Sequence, residues 1–231
     1  MCIYIGYQYT TLAAFACDIL YRVMPNKLKH IFITIVSLVG LCALAILVFN
    51  RTPQRIIPDG NVIIAPANGE VIYIQTADSE DISFFKKDVE NQLTLHNMQA
   101  PYTIVVIEMN VKNIHAQRMP ISGTISYQEY ISGQHKNALR AGAETLSREN
   151  EKNVIIIQNE DLSVGVIQVA GIMARRIRSF VDIGDTLEKG DIYGKITLGS
   201  QVVLVLPSDV TLLSQVGDVF IDGETVVAEY K

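Results

Sequence analysis

Cysteine is scarce and sits where it can do little. The chain of 231 residues holds Cys2, Cys17 and Cys42 only, all near the amino terminus. The long remainder therefore offers no disulfide, no thiolate nucleophile and no zinc-ribbon or iron–sulfur ligand set. The histidines of that remainder, His96, His115 and His135, fit neither H-x-H nor H-x-x-x-H spacing, so no metal site is expected. Acids are missing altogether between Asp18 and Asp59, while Arg22, Lys27, Lys29, Arg51 and Arg55 fall in that window, a local +5 in a chain of net charge −5. A basic collar beside apolar sequence suits an anionic lipid surface, whereas nucleic acid would want a basic stripe on the folded domain and is not expected as a partner. Charged residues are only 19% against 49% hydrophobic, and mean hydropathy is +0.25. That balance excludes an acidic disordered chain and places part of the molecule in lipid.

The lipid-borne part is easily found. Ile31 to Phe49 is an uncharged run of 19 residues, long enough as a helix to cross the hydrocarbon layer. It is expected to be a transmembrane helix, with residues 1–50 as the anchoring segment and 51–231 as the working domain. Met1 to Cys17 is also uncharged but carries Tyr, Thr and Gln; a membrane hairpin or interfacial helix is preferred there over a signal-like stretch. Three basic residues before the main helix face two after it, too small a contrast to fix orientation. The expected location is the cytoplasmic (inner) membrane.

After Phe49 the texture changes to short Val- and Ile-rich runs broken by Gly, Pro, Asn and Asp. NVIIAPANG, GEVIYIQT, YTIVVIEM, GTISYQEYI, NVIIIQ, SVGVIQVAG and QVVLVLP all read as strands. Phe84 to Asn97 and Asn137 to Asn150 are expected to hold a helix or a long loop. Asp182 to Gly194 and Gln215 to Val227 share a V/I-G-D turn pattern, and PANGEVI adds a third turn of similar kind. The expected fold is mainly β (α+β): an antiparallel β sandwich of barrel-sandwich style behind the membrane helix.

The polar residues that stand out are individually ordinary. His115 alone reads as a structural histidine, Arg175 and Arg176 as a solvated pair, and Gly199-Ser200 as a turn before a strand. Their order along the chain says more. VFNRTPQRIIP, APANGEV, NIHAQRMPISG, SRENEK, QVAGIMARRI and EKGDIYGKITLGSQVVLVLP follow one another as F-F-R-D-P-x-R-x-x-P, P-A-D-G-x-V, D-V-H-x-N-R-x-P-x-x-G, N-E-R, Q-I-A-G-x-x-A-R-R-I and G-x-x-x-G-x-I-x-x-G-S-x-V-x-x-x-x-P do in one family. Over about residues 48–228 the chain resembles the phosphatidylserine decarboxylase family, in particular its short bacterial and archaeal type.

The resemblance implies a chemistry. Decarboxylating an amino acid head group leaves a carbanion, which needs an electron sink. This family makes the sink from its own backbone: the Ser200 hydroxyl attacks the Gly199 carbonyl, and the resulting ester eliminates and hydrolyses to an amino-terminal pyruvoyl group. The products would be a β chain of residues 1–199 and an α chain of residues 200–231, held together as a heterodimer, with further dimerisation left open. No external cofactor and no metal is implied, and the substrate would be phosphatidylserine or its archaeal ether-lipid counterpart. His115 becomes the candidate base for Ser200 or acid for the carbanion. Arg175, Arg176 and Arg118 are candidates for substrate binding. Arg118 holds the second position of the family's H-x-x-H pair, as in the short type.

Two departures matter. Asn68 stands where the family has the P-A-D-G acid and in that place joins Ser200 and His115 as a catalytic candidate. Asn113 stands two residues before the histidine, where many members have Asp, and can hold an imidazole without supplying charge. Glu70 and Glu108 are candidate substitute acids. The alternative reading is therefore a decarboxylase-like lipid-binding protein that does not process itself. A lipoyl-like membrane adaptor is a third reading, but Lys189 and Lys195 lack the small or methionine neighbours of an attachment lysine.

Overall fold

The computed structural model describes residues 25–86, 89–95, 98–110, 112–132, 150–170, 176–196 and 201–231, so Met1 to Cys17 and all of Asn137 to Asn150 but its last residue lie outside the described residues. The chain divides between Val48 and Phe49 into two compact units.

In the first unit, helix α1 runs over Asn26–Phe49, starting five residues ahead of the uncharged run. Lys29 closes its first turn by donating to the Pro25 carbonyl at 3.0 Å. Thr34 disposes of its hydroxyl within the helix, donating to the His30 carbonyl at 2.9 Å, which is how a polar side chain is tolerated on an apolar helix. Leu28, Ile33, Val36, Leu38, Leu41, Leu44 and Leu47 are all exposed and are spread around the helix rather than along one stripe. The helix is long and apolar enough to cross a membrane.

Among the described residues, the regular elements of the second unit are antiparallel strands: β1 (Val62–Ile64), β2 (Gly69–Ala77), β3 (Asp81–Lys86), β4 (Val89–Thr94), β5 (Tyr102–Glu108), β6 (Ala116–Arg118), β7 (Gly123–Ile131), β8 (Lys152–Gln158), β9 (Ser163–Val169), β10 (Ile177–Ser179), β11 (Thr186–Leu187), β12 (Ile192–Ile196), β13 (Gln201–Pro207), β14 (Thr211–Leu212), β15 (Val219–Phe220) and β16 (Val226–Glu229). Its spine is an eight-stranded sheet in the order β11-β7-β8-β9-β13-β5-β2-β15. One face packs Val105, Ile107, Ile155, Val166, Val202 and Leu204 against the small sheets β1-β16-β14 and β10-β12-β6. The other face packs Ile104, Val106, Ile156, Ile167, Val203 and Val205 under the β3–β4 hairpin, through Ile82, Phe84, Leu93 and Leu95. Both faces are covered, so side chains of both parities must be apolar. That is why YTIVVIE, NVIIIQ and QVVLVLP read as continuous hydrophobic runs instead of alternating ones.

The expected antiparallel β fold is what the chain adopts, with one correction and one refinement. Phe84 to Asn97 holds no helix among its described residues: Phe84 and Asn91 face each other across the β3–β4 hairpin. The repeated turns are real but differently distributed. Asp182, Glu188 and Gln215 each donate a backbone N–H to the carboxylate three residues on, Asp185, Asp191 and Asp218, at 2.8, 3.0 and 2.9 Å. Gly184, Gly190 and Gly217 take φ of 96, 93 and 95° between them, a conformation in which only glycine is unstrained. PANGEVI is not a fourth copy. Gly69 has no such φ, and a side chain there would collide with the Glu108 backbone of the neighbouring strand.

Candidate active site

The terminal row of the central sheet gathers the motifs. Register places Ile131, Lys152, Val169, Gln201, Glu108 and Glu70 side by side on β7, β8, β9, β13, β5 and β2. The strands leading to or from the N-E-K, A-G-I-M-A-R-R, L-G-S, N-I-H and P-A-N-G motifs all end at this row. Segments far apart in sequence are thus delivered to one end of one sheet.

His115 lies just past β5 and leads into β6, fully buried. Its Nδ1 is 2.9 Å from the Asn113 carbonyl. A carbonyl only accepts, so Nδ1 carries the proton and Nε2 is the basic atom of the neutral ring. The partner is the Asn113 backbone; the Asn113 carboxamide is turned away and accepts from the Asn110 N–H at 2.6 Å. Burial pushes the His115 imidazole below its ordinary range, the Asn113 carbonyl opposes this, and the cations of Lys195 and Arg51 add to the lowering. The ring is therefore neutral at pH 7.

Residues 197–200, which include Gly199 and Ser200, lie outside the described residues, as does Arg175, but their ends are placed. Ile196 donates its N–H to the His115 carbonyl at 3.0 Å, and Gln201 opens β13 in register with Val169 and Glu108. The four intervening residues span at most roughly 14 Å beyond either anchor. Gln201 itself is fully buried, and neither atom of its carboxamide has a hydrogen-bond partner among the described residues.

Below the terminal row runs a ladder of buried amides. Gln117 donates to the His115 carbonyl at 2.9 Å, Gln168 to Gln117 Oε1 at 2.9 Å, and Asn153 to Gln168 Oε1 at 2.8 Å. Gln128 continues it from Asn153 (3.3 Å) to Ser179 (2.8 Å). The ladder ties β6 to β9 and β8. The sequence hint was a polar residue at an inward strand position, Gln168 within SVGVIQV and Asn153 within KNVIIIQ, which motif reading passes over.

The other candidates fall in two further places. Arg118 is buried, its Nε donating to Asp222 at 2.8 Å and its terminal nitrogens to the Gly190 and Pro53 carbonyls, each at 2.8 Å. Arg55 meets the second Asp222 oxygen at 2.5 Å, and Asn68 accepts the Asp222 backbone N–H at 2.6 Å. Arg118 and Asn68 are thus brought together around Asp222, which motif reading did not single out. Arg176 is exposed. It follows residues 171–175, which Glu151 brackets: its carbonyl accepts from Ala170 N–H at 2.9 Å and its carboxylate from Ile177 N–H at 2.8 Å. The same carboxylate accepts from the Tyr130 hydroxyl and pushes that phenol up to about 12. Glu70 and Glu108 are exposed neighbours in the terminal row.

Known proteins match this arrangement along nearly its whole length. The family model described as phosphatidylserine decarboxylase matches residues 43–228. A phosphatidylserine decarboxylase proenzyme of Geotalea uraniireducens is 32% identical over 96% of this chain and 93% of its own. One of Trichlorobacter lovleyi is 34% identical over 81% of this chain and 77% of its own. A protein of Methanothermobacter thermautotrophicus, provisionally named an archaetidylserine decarboxylase proenzyme, is 35% identical over 85% and 90%. With the match running through the strands that converge on the terminal row, the chain belongs to the phosphatidylserine decarboxylase family.

Proposed function

We propose that this protein is a membrane-anchored carboxy-lyase that converts phosphatidylserine, or the ether-lipid equivalent, to the ethanolamine lipid after cutting itself between Gly199 and Ser200. The observation that carries the reading is the bracket around that dipeptide: Ile196 bonded to the His115 carbonyl on one side and Gln201 fixed in β13 on the other. His115 Nε2 takes the proton of the Ser200 hydroxyl as that oxygen attacks the Gly199 carbonyl and the peptide nitrogen leaves it. Elimination from the ester frees the Gly199 carboxylate and leaves dehydroalanine, and water then expels ammonia to leave the pyruvoyl group. That group supplies an electron sink for the carbanion formed when carbon dioxide leaves. The surroundings fit it, because the unpartnered carboxamide of Gln201 adjoins residue 200 and a buried orphan amide is costly unless something polar arrives.

The two chains would stay together without covalent help. β13 lies between β9 and β5 in the central sheet, paired along its whole length with β5 and over Gln201–Val205 with β9. Residues 201–231 are thus woven through the core and form a heterodimer with residues 1–199. Helix α1 and the lysines in its first turns keep the domain at the bilayer. Cations are unfavourable at a helix amino terminus, so Lys27 and Lys29 serve anionic head groups rather than the helix. Arg175 and Arg176 are assigned to binding a lipid phosphate, Arg176 being exposed.

One observation favours a second reading, a lipid-binding chain that does not cut itself: a neutral carbonyl, not a carboxylate, holds His115 Nδ1. The intact mass of the purified protein separates the two. Two fragments meeting at Gly199/Ser200, the smaller with a carbonyl that borohydride reduces, is the expected result. A single full-length chain after prolonged incubation would leave only the second reading.

A further inference from the structure

The terminal row contains a buried cation that no described residue neutralises. Lys152 is only 4% exposed, and its amine donates to the Asn150 carbonyl at 3.3 Å. Among the described residues it makes no ion pair: Glu151, its sequence neighbour, points to the opposite face, toward Tyr130 and Ile177. A buried charge without a counter-charge is strongly unfavourable, and burial indeed pushes the Lys152 amine below the ordinary lysine range. Register sets Lys152 opposite Val169 and Val169 opposite Gln201, so lysine and glutamine share a face and flank one valine, about 10 Å apart between backbones. Gln201 brings a second unsatisfied group, its fully buried carboxamide. On the far side of Gln201 the row continues to the exposed acid Glu108. The row thus runs acid, amide, apolar, cation.

We propose that Lys152 and Gln201 form the head-group site of the lipid substrate, Lys152 as counter-ion of the phosphodiester and Gln201 as the hydrogen-bonding group beside residue 200. This rests on the decarboxylase reading and names the residues that would select its substrate. The polarity of the row fixes the direction: a phosphodiester belongs at the Lys152 end, because the Glu108 carboxylate repels it from the other. Holding the phosphodiester rather than the reacting carboxylate also makes sense, since a cation on the carboxylate would stabilise the ground state that must be lost.

The test uses the full-length protein in detergent with Ser200→Ala, which blocks self-cleavage, and calorimetric binding of dihexanoyl phosphatidylserine as monomers. Lys152→Met is expected to weaken binding at least tenfold while the melting temperature stays level or rises, because an uncompensated buried charge has been removed. Lys152→Arg should bind within about threefold of the parent, and Gln201→Leu at least fivefold more weakly. Unchanged affinity in Lys152→Met overturns the proposal, and so does a lowered melting temperature with unchanged affinity, which would make Lys152 a structural residue. If inorganic phosphate displaces the lipid at equal concentration, the site belongs to free phosphate and the proposal also fails. Intact mass of the unsubstituted protein judges the cleavage reading separately: an uncut chain sinks that reading, while a tenfold loss in Lys152→Met still supports the anion site.

Discussion

At the scale of single residues, the atom on which the proposed self-cleavage turns is His115 Nε2, made basic by what the other ring nitrogen does. Because the holding group is the Asn113 backbone carbonyl, the side chain at 113 matters less than the family comparison suggests. Asn113→Ala should leave self-cleavage within about threefold of the parent, whereas His115→Ala should slow it at least about 100-fold, the low end of what a general base contributes. The pH dependence follows from the same burial. A base whose folded pKa is lowered stays neutral, and so competent, as pH falls through the ordinary value of 6.5. Cleavage followed by gel densitometry should therefore hold its plateau below pH 6.5 and decline only in more acid buffer. A decline centred above 6.5 would contradict the assigned environment.

At the scale of elements, the amide ladder is what keeps β6, and with it His115, in register with the central sheet. Its three inner rungs, Gln117 to His115, Gln168 to Gln117 and Asn153 to Gln168, are buried, so breaking one strands its neighbours. Gln168→Leu leaves Asn153 Nδ2 and Gln117 Oε1 without partners, at about 1–3 kcal/mol each. The expected outcome is a fall in melting temperature of several degrees, given about 2–4 °C per kcal/mol at this chain length. Cleavage should slow at the same time, because Gln117 no longer fixes the His115 carbonyl. A melting temperature unchanged to within a degree would show that the ladder carries no stability. The strands themselves were legible beforehand, because Val- and Ile-rich runs bounded by Gly, Pro and Asn have few alternatives. The Phe84–Asn97 hairpin was not, since FFKKDVENQLTLHN lacks both alternation and a recognisable hairpin turn. It forms because its apolar residues cover the second face of the central sheet.

At the scale of the whole β unit, Asp222 joins the segment that follows the apolar helix to the body of the domain. It binds Arg55 and Arg118, while Arg118 also reaches the Pro53 carbonyl. Asp222→Ala leaves the buried Arg118 guanidinium without its carboxylate and Arg55 with only Glu224, at 3.6 Å, a loss of about 3–5 kcal/mol by analogy with other broken buried pairs. Thermal unfolding of the full chain should show it as the largest of the destabilisations predicted here, and Asp222→Asn should recover only part of it.

The sequence by itself determined what is local or collinear: the apolar helix, the strand-rich texture, the glycine–aspartate turns and the ordered motifs of the family. Each depends on residues near one another in the chain or on their order along it. Only the tertiary structure decided which polar residues meet. Arg118 and Asn68 gather around Asp222, the Asn113 backbone takes the place expected of its side chain, and Lys152 and Gln201 come to share a buried row. Those outcomes turn on strand register and burial, and register is set by pairing between strands distant in sequence, which no spacing along the chain encodes.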